Sequence, residues 1–537
     1  MRGKQAKRGK LVVLVLTTSV LLSYALLADT FAEIDASLDS AIVTVESGKI
    51  RGYVEDGIYV FRGIPYAKAT RFMLPEKVER WDGVLDTRVY GECCPTPPIE
   101  AVFDPVELVI PHVYWPQNEN CLFLNIWTPG IEDGRKRPVM VWLHGGGFST
   151  GSSIEQKAYD GKNLSENGDV VVVSINHRLN VLGFLDLSAY GEKYRYSGNV
   201  GMADIVAALE WIKSNIEHFG GDPENITLFG QSGGGGKILT LMAMPAAKGL
   251  FQKAIVQSGL FSTFSPVLPQ NISRRVAALT LENLGVSPTE VDDLQSIPYQ
   301  TLLTAASKAQ AQVAEETGQR VSWAPVLDGE YITVNVGMET SPLSRDVPVM
   351  LGTTFGEMDA NLFAGFGKNS WSPEEIAARM ADKYGDKAEA IAQAFRKAYP
   401  RKPLVDALFI DTTGRPATLA WARLKCQDPA PVYVYIFAYE IPVNGGMVAF
   451  HCAEIPFVFH NTDLVPMATG GGVDAFIMAE VVSRAWVNFA RYGDPNHDLL
   501  PEWPAFTIKN GATMVFDKTS WVGYEHDDEL YNLLSTK

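Results

Sequence analysis

The sequence predicts an α/β fold with a mostly parallel central sheet, helices on both faces and a helix-rich cap region. Apolar runs of β-type residues, such as residues 139–143, alternate along the chain with helical patterns such as residues 203–216. This alternation is typical of parallel strands that are joined by helices. The stretches from about residue 260 to 343 and from 371 to 411 are rich in helical patterns. We expect them to cap the functional site.

Near the amino end, residues 42–45 and 50–54 form two short β-type runs that are separated by a few polar and small residues. Such a pair predicts an antiparallel hairpin. We expect this hairpin at one edge of the central sheet, because antiparallel edge strands are common on otherwise parallel sheets.

The composition is that of a globular enzyme. Hydrophobic residues make up 46% of the 537 residues and charged residues 20%, which leaves ample chain for a buried core. Length by itself suggests about three or four domains. However, no long Ser/Gly/Pro linker, repeat or low-complexity tract divides the middle of the chain. The formal net charge of −16 argues against nucleic acid or an anionic membrane surface as a partner.

Residues 1–32 are predicted to be a secretory signal peptide. Five basic residues within the first ten positions precede an apolar run over residues 11–27, and small residues at 28–32 offer a cleavage site. The protein is therefore expected to be secreted, either to a periplasm or outside the cell. Because the apolar run is long for a signal peptide, an uncleaved N-terminal membrane anchor is the alternative.

The most informative motif is G-x-S-x-G at residues 230–234. It directly follows the apolar run 226–229 and directly precedes a helical segment at 238–244. In a nucleophile elbow, the sharp strand-to-helix turn exposes the serine Oγ, and small flanking residues let the chain pass close to itself. We therefore predict Ser232 as a nucleophile. The same pattern places Ser149 at the centre of residues 147–151, but that stretch is predicted to be a loop without a nucleophile.

A second glycine-rich turn, His-Gly-Gly-Gly at residues 144–147, follows the apolar run 139–143. In hydrolases built on an α/β sheet, such a loop supplies backbone N–H groups to an oxyanion hole. Glycine is needed because side chains would block the approach of these donors to the substrate carbonyl oxygen. Each donor aimed at the developing negative charge contributes about 3 kcal/mol to lowering the barrier.

The acid and the base are expected later in the chain, in the order serine, acid, histidine. Glu357 follows the buried-strand candidate 347–351 through a short loop, and Asp359 is the second choice for the acid. His451 follows the strand-like run 432–437 and a loop rich in Pro and Gly, a position where catalytic residues collect. Three other histidines lie well beyond the serine: His460, His497 and His526. His497 suits a capping role in its turn, and His526 lies in an acidic tail.

These motifs resemble the type-B carboxylesterases, the family of the cholinesterases and the bacterial para-nitrobenzyl esterases. Further segments carry the resemblance over nearly the whole chain after residue 32: residues 61–67, 120–127, 176–179, 219–223, 450–455 and 493–496. The resemblance implies the α/β-hydrolase fold and one catalytic domain over residues 33–537. It also implies that a small-molecule ester is the substrate and that no cofactor is needed.

Carried over position by position, the resemblance implies Ser232 as the nucleophile, Glu357 as the triad acid and His451 as the base. The N–H groups of three glycines would form the oxyanion hole: Gly146, Gly147 and Gly233. The implied reaction is hydrolysis of a carboxylic ester through an acyl-enzyme intermediate.

The resemblance also implies a disulfide between Cys94 and Cys121. Such a bridge would add about 3–4 kcal/mol of stability, depending on the mechanism assumed. Cys93 competes with Cys94 for this role, and Cys426 and Cys452 are the remaining cysteines. No Cys/His cluster has the spacing of metal ligands, so no metal site is predicted.

Three positions depart from the family pattern. Gln231 stands before the serine where the family usually has Glu, and Gly233 stands after it where Ala is usual. His177 replaces the usual Tyr of an Asn-Tyr-Arg motif. The loss of a carboxylate at position 231 argues against a preference for cationic esters. The glycine run 233–236 is expected to weaken the start of the following helix by up to about 1 kcal/mol per residue.

Two alternative functions stay open, one among the ester hydrolases and one that is not enzymatic. A lipase with an interfacial lid, or a hydrolase of aromatic plant esters, would have the same fold and motifs. A non-enzymatic, cholinesterase-like adhesion domain would have the same fold without a complete triad. Because all three proposed triad positions are filled in this chain, hydrolysis is favoured. The oligomeric state is not predicted.

Overall fold

The computed structural model describes residues 32–98, 107, 109–263, 265–360, 365 and 367–535. The predicted signal peptide, and with it the alternative membrane anchor, lies outside the described residues except for Ala32. Within the described ranges, no helix is both long and apolar enough to cross a bilayer.

Strands and α-helices alternate through most of the chain, as the sequence predicts. The strands are β1 Ile34–Asp35, β2 Ile42–Val45, β3 Gly48–Arg51, β4 Tyr53–Glu55, β5 Ile58–Pro65, β6 Val84–Asp86, β7 Phe123–Thr128, β8 Arg137–Leu143, β9 Val171–Ile175, β10 Gly221–Gln231, β11 Lys253–Gln257, β12 Leu268–Pro269, β13 Val326–Leu327, β14 Val349–Thr354, β15 Val432–Phe437, β16 Ala512–Phe516 and β17 Trp521–Tyr524. The α-helices are α1 Lys162–Gly168, α2 Asn180–Phe184, α3 Val200–Asn215, α4 Gly233–Leu241, α5 Gln270–Leu284, α6 Tyr299–Thr317, α7 Pro373–Tyr384, α8 Ala388–Ala398, α9 Gly414–Lys425, α10 Ile455–Val458, α11 Pro466–Thr469, α12 Val473–Tyr492 and α13 Asp528–Ser535.

Twelve strands form the central sheet, in the order β1-β4-β5-β7-β9-β8-β10-β11-β14-β15-β16-β17. The seven strands from β9 to β16 in this order pair in parallel, and the strands toward both edges pair antiparallel. The prediction of a mostly parallel sheet is confirmed. Parallel strands end on the same side of a sheet, so the turns after β8, β10, β11, β14 and β15 converge there.

Two separate hydrophobic cores lie on opposite faces of this sheet. In β8, Val139 and Val141 belong to one core, whereas Met140 and Trp142 belong to the other. This is the alternation that the pleat of a strand requires. Apolar residues of α3 pack into the first core and apolar residues of α12 into the second. The prediction of helices on both faces is therefore confirmed.

The amino-terminal hairpin forms, but its predicted place at the edge of the central sheet is wrong. β2 pairs antiparallel with β3, and β3 pairs with β6, in a small separate sheet. Residues 53 and 54, predicted to extend the second strand, belong instead to β4 of the central sheet. The break falls at Gly52, where a Cβ atom would lie 2.2 Å from the carbonyl oxygen of Val60. Only glycine permits this approach, at the point where the chain passes from one sheet to the other.

The two stretches that were predicted to be helix-rich each contain a pair of helices. α5 and α6 lie within residues 260–343, and α7 and α8 lie within residues 371–411. These predictions are confirmed. Residues of the first stretch line a cavity. One of them, Phe261, follows the carboxyl end of β11.

Candidate active site

Ser232 occupies a sharp turn between β10 and α4. Its φ and ψ are 56° and −122°, a left-handed backbone conformation that residues other than glycine rarely adopt. The strand ends at Gln231 and the helix begins at Gly233, so the serine is the single residue of the turn. The Ser232 N–H donates to the carbonyl oxygen of Gln257 at the end of β11, at 2.8 Å, and this anchors the turn. The geometry is that of the predicted elbow.

The helix after the serine starts earlier than predicted, because glycines let it pack against two neighbouring segments. A Cβ atom on Gly233 would lie 2.3–2.5 Å from the carbonyl oxygen, Cα and N of Gly147. A Cβ atom on Gly234 would lie 1.9 Å from the carbonyl oxygen of Leu143. Real Cβ atoms do not approach backbone this closely. Tertiary packing therefore requires glycine here and outweighs its low helix propensity.

The loop after β8 brings free backbone amides to the serine. Gly146 and Gly147 have φ values of 79° and 61°, which glycine adopts without strain. A Cβ atom on Gly145 would lie 3.4 Å from Ser232 Cβ, so the loop contacts the turn. Among the described residues, the N–H groups of Gly146 and Gly147 donate no hydrogen bond. The N–H of Gly233, at the first position of α4, points out of the helix start like the other unpaired amides there.

The predicted acid and base meet beside this turn. The Nδ1–H of His451 donates to Glu357 Oε2 at 2.5 Å, and the His451 backbone N–H donates to the Glu357 carbonyl oxygen at 3.1 Å. Glu357 is only 1% exposed and has a φ of 42°. Since Nδ1 holds the proton, Nε2 of the imidazole is free to accept one.

Two further groups hold the carboxylate in place. The Ser258 hydroxyl donates to Glu357 Oε1 at 2.6 Å, and the Thr354 N–H donates to the same oxygen at 2.7 Å. Sequence reasoning missed Ser258. The one feature of the sequence that could have indicated Ser258 is its place directly after the apolar strand β11, at the end of the sheet where the site lies.

Gln231, the residue before the serine, contacts the imidazole. Its Nε2 lies 3.2 Å from His451 Nε2 and 3.4 Å from Nδ1. These nearly equal distances put the amide against the ring and out of line with the lone pair of Nε2. The Cys452 thiol donates to Gln231 Oε1 at 3.2 Å. Within the described chain, no hydrogen bond joins the Ser232 hydroxyl to His451, a contact that often tightens only when substrate binds.

Burial and charge set the protonation of the site. Burial by itself lowers the pKa of His451, but the neighbouring Cys452 and the Glu357 carboxylate raise it, and the net pKa lies well above its ordinary value. A second carboxyl group, Glu454, is fully buried and accepts from Gln257 Nε2 at 3.1 Å. Burial, helped by the charge of Glu357, raises the pKa of Glu454 to about 7. The imidazole therefore holds a proton more strongly than a free histidine does.

The competing candidates lie away from this arrangement. Asp359 is exposed, and its neighbour Glu357 makes the contact with the imidazole. Ser149 lies in the loop after β8 and has no elbow geometry. His497 accepts a backbone hydrogen bond within its own turn, the capping role that the sequence favours. His526 is half-buried, and its ring packs against the rings of Tyr399 and Trp521.

All five cysteines are free thiols in this structure. Cys94 and Cys121 are both buried, and the neighbouring Cys94, together with burial, raises the pKa of the Cys121 thiol well above its usual range. Cys93 faces another partner, because Asn176 Nδ2 donates to its sulfur at 3.7 Å. The pair named for the disulfide is thus adjacent, and the bond itself stays a prediction. No group of three or more His, Cys, Asp or Glu side chains in the described ranges is arranged to hold a metal ion.

A cavity of about 680 Å³ is lined by Phe261, whose ring also contacts the His451 imidazole. Its wall is more apolar than polar and includes Phe261, Val267, Met338 and Ala417. The Phe261 ring meets the His451 imidazole edge to face, with centroids 5.8 Å apart. A largely apolar cavity with a few polar groups is typical of a small-molecule site. Sequence reasoning did not find Phe261, which belongs to no motif.

Comparison with known proteins identifies the family. Residues 39–532 match the carboxylesterase family. The chain belongs to this family. The para-nitrobenzyl esterase of Bacillus subtilis (strain 168) is 36% identical to this carboxylesterase over 502 residues, which cover 91% of this chain and 96% of that protein. Phenmedipham hydrolase of Pseudarthrobacter oxydans is 34% identical over 493 residues, covering 88% of this chain and 94% of that protein.

A solved structure of an esterase from Clostridium hathewayi, which can hydrolyse aliphatic aromatic polyesters, superposes on this carboxylesterase with a TM-score of 0.87. The two chains are 40% identical, and the match covers 94% of this chain and 99% of that one. The predicted α/β-hydrolase fold and the resemblance to type-B carboxylesterases are confirmed. The protein is a carboxylic ester hydrolase.

Proposed function

We propose that this carboxylesterase cleaves neutral esters through a Ser232–His451–Glu357 triad and an acyl-enzyme intermediate. His451 accepts the Ser232 proton as Oγ attacks the ester carbonyl, and the glycine amides of the loop and the helix start stabilise the tetrahedral oxyanion. The imidazolium then gives its proton to the departing alcohol. Water activated by His451 attacks the acyl-enzyme and releases the carboxylic acid.

The buried contact between His451 and Glu357 is the observation that carries this proposal. The His451 Nδ1 and Glu357 Oε2 atoms lie 2.5 Å apart, and the same imidazole contacts Gln231, the residue that precedes the strained serine. A carboxylate in this position holds the imidazole in the tautomer that can accept the serine proton, and it stabilises the imidazolium that forms. A non-enzymatic adhesion domain would have no need of this arrangement.

The properties of the site favour neutral esters with an apolar or aromatic group. Gln231 is a neutral amide that is 1% exposed and contacts the imidazole, so no carboxylate at that position attracts a cation. The cavity beside Phe261 offers apolar surface for one side of the ester. One relative is named phenmedipham hydrolase, and another is an esterase that can hydrolyse aliphatic aromatic polyesters. We extend the aromatic class to this chain as part of the proposal.

A series of para-nitrophenyl esters of increasing chain length distinguishes this function from that of a lipase. We expect kcat/KM to be greatest for short and medium acyl chains, with no increase when the substrate forms an interface. A rise of activity above the solubility limit of long-chain esters would instead indicate a lipase with an interfacial lid.

We also propose export, with cleavage after residue 32. The basic residues and the apolar run near the amino end support this. Amino-terminal sequencing of the exported protein should begin at Glu33. An intact amino terminus in the membrane fraction would show an uncleaved anchor instead.

Covalent labelling tests the nucleophile. A fluorophosphonate should inactivate the enzyme and label Ser232, as mapped by mass spectrometry of its peptides. Ser232→Ala should abolish both labelling and turnover, whereas Ser149→Ala, the matched control in the second G-x-S-x-G pattern, should alter neither. Label on Ser149 would overturn the assignment.

A further inference from the structure

A lysine is buried in the helix that begins at the serine. Lys237 lies on α4, five residues after Ser232, and its side chain has no exposed surface. Its Nζ donates to the carbonyl oxygen of His144 at 2.8 Å. That carbonyl directly precedes residues 145–147, the loop that carries the free amides. One hydrogen bond thus ties the helix of the nucleophile to the base of the oxyanion loop.

The positive charge of this lysine has no close counter-ion. Within the described residues, no carboxylate oxygen lies within 4.0 Å of Lys237 Nζ, and Glu155 attracts it only from a greater distance. The rings of His144 and His177 stack beside it, with centroids 5.2 Å apart. Burial, together with the lysine charge, lowers the pKa of both histidines well below the ordinary value, so both are neutral.

The two neutral histidines carry no negative charge that could balance the ammonium of Lys237. The Nδ1–H of His144 donates to the Gly145 carbonyl oxygen at 2.9 Å, and that of His177 donates to the Arg178 carbonyl oxygen at 2.9 Å. Arg178 lowers the pKa of His177 further, and its own charge is balanced by Asp204, whose two carboxylate oxygens accept from the Arg178 guanidinium at 2.8 and 2.6 Å. The groups around Lys237 therefore leave its ammonium unneutralised.

We propose that Lys237 is a positioning residue for the oxyanion hole: it holds the His144 carbonyl, and with it the loop 145–147, and keeps an unneutralised positive charge behind the amides that receive the oxyanion. The proposal rests on the function proposed above. A preorganised charge of this kind stabilises the tetrahedral intermediate more than the neutral substrate, because only the intermediate is negative. Lys237 acts through the loop and the field and does not touch the substrate.

The proposal has a pH signature that a space-filling lysine would lack. Burial lowers the pKa of Lys237 to about 7. The charged form is therefore present below this pH and is lost as the pH rises through it. The nearby negative charge of an oxyanion raises the pKa of a neighbouring ammonium. An enzyme with a neutral Lys237 should thus take up a proton when a tetrahedral adduct forms.

An aryl trifluoromethyl ketone is a suitable probe, since it forms a tetrahedral adduct with an active-site serine. The serine proton moves to the imidazole in this adduct where the imidazole is neutral, and to the solvent where it is already protonated, so the triad by itself takes up no proton in either case. Calorimetry in two buffers of different ionisation enthalpy measures the net number of protons. At about pH 8 we expect the wild type to take up about half a proton or more beyond the number counted for Lys237→Met, which has the same triad.

Kinetics provide the second measurement. Lys237→Met should lower kcat about 100-fold with KM nearly unchanged. It should also weaken the binding of the trifluoromethyl ketone by about the same factor. Lys253→Met is the matched control. Lys253 is also a buried lysine whose pKa burial lowers, to about 8, but it lies at the amino end of β11, away from the site. The control should leave kcat and the proton count unchanged.

The outcomes separate this proposal from the one on which it rests. If the wild type forms the adduct on Ser232 but its proton count at about pH 8 equals that of Lys237→Met, Lys237 does not supply the charge and the inference is wrong. Lys237→Gln, which has the same triad, gives the comparison where Lys237→Met does not fold. Equal values of kcat in Lys237→Met and the wild type would also overturn the inference. If the wild type forms no adduct at Ser232, the proposed function itself fails.

Discussion

Replacing Gly233 by alanine should lower kcat about 100-fold, although alanine is the usual residue at this position in the family that the chain resembles. The added Cβ would lie 2.3, 2.4 and 2.5 Å from the carbonyl oxygen, Cα and N of Gly147. Cβ contacts shorter than 3.0 Å are essentially never observed, and contacts below 3.4 Å already require the neighbour to move. The backbone of Gly147 must therefore retreat by about 1 Å, a distance that in other enzymes costs about 100-fold in rate.

This retreat moves an amide donor away from the place where the oxyanion forms. Loss of one oxyanion donor costs about 3 kcal/mol of barrier, which corresponds to a factor of about 100 in kcat. Substrate binding should change little, because the ground-state carbonyl makes weaker demands on the same amide. The expected signature of Gly233→Ala is a fall in kcat with an almost constant KM.

The assay compares kcat and KM of Gly233→Ala with those of Gly236→Ala on a soluble para-nitrophenyl ester. A Cβ on Gly236 would lie 3.6 Å from Pro266 Cβ and 3.7 Å from the Phe148 ring, which are ordinary contacts. Gly236→Ala should therefore retain full activity. It should also stabilise the protein by up to about 1 kcal/mol through better helix propensity, visible as a higher unfolding temperature.

If Gly233→Ala keeps kcat within about threefold of the wild type while remaining folded, the reasoning is refuted. The loop would then yield to the methyl group without displacing its donor. An equal loss of activity in both variants would point instead to a general effect of rigidity at the start of α4.

Three further predictions concern the triad, its neighbour and the cysteines. Glu357→Gln should lower kcat by about 10⁴-fold, whereas Asp359→Asn should change it by less than about twofold; the reverse ranking in steady-state kinetics would make Asp359 the acid. Gln231→Glu should move the acid limb of the pH profile of kcat/KM to higher pH, because a carboxylate beside the triad imidazole raises its pKa. It should also improve kcat/KM for a choline ester relative to its uncharged isostere, and an unchanged ratio would contradict this. Peptide mapping without reductant should find Cys94 bridged to Cys121 in the exported protein, not two free thiols.

Much of the site could be predicted because its chemistry depends on local patterns at strand ends. The turn at Ser232 needs small neighbours, and the sequence shows them between a strand pattern and a helix pattern. Glu357 and His451 are 94 residues apart. They could still be paired, because each follows an apolar strand and parallel strands end on one side of a sheet.

The small sheet near the amino end could not be predicted in the same way. The hairpin β2–β3 is a local structure, and its pattern was sufficient to predict it. Its separation from the central sheet depends on Gly52, which passes against the carbonyl of Val60. The hydrophobic periodicity of the sequence does not predict the contact between Gly52 and Val60, because these two segments meet only after the sheet has formed.

The sequence by itself determined the fold class, the elbow and the candidates for its acid and base, since these follow from hydrophobic period, turn chemistry and chain order. Only the tertiary structure decided which atoms come within hydrogen-bond distance of them. The hydroxyl of Ser258 on the carboxylate, the ring of Phe261 on the imidazole and the ammonium of Lys237 on the oxyanion loop belong to no motif. The physical reason is that each contact depends on the register and packing of separate strands and helices, and side chains distant in sequence meet only when the whole core is closed.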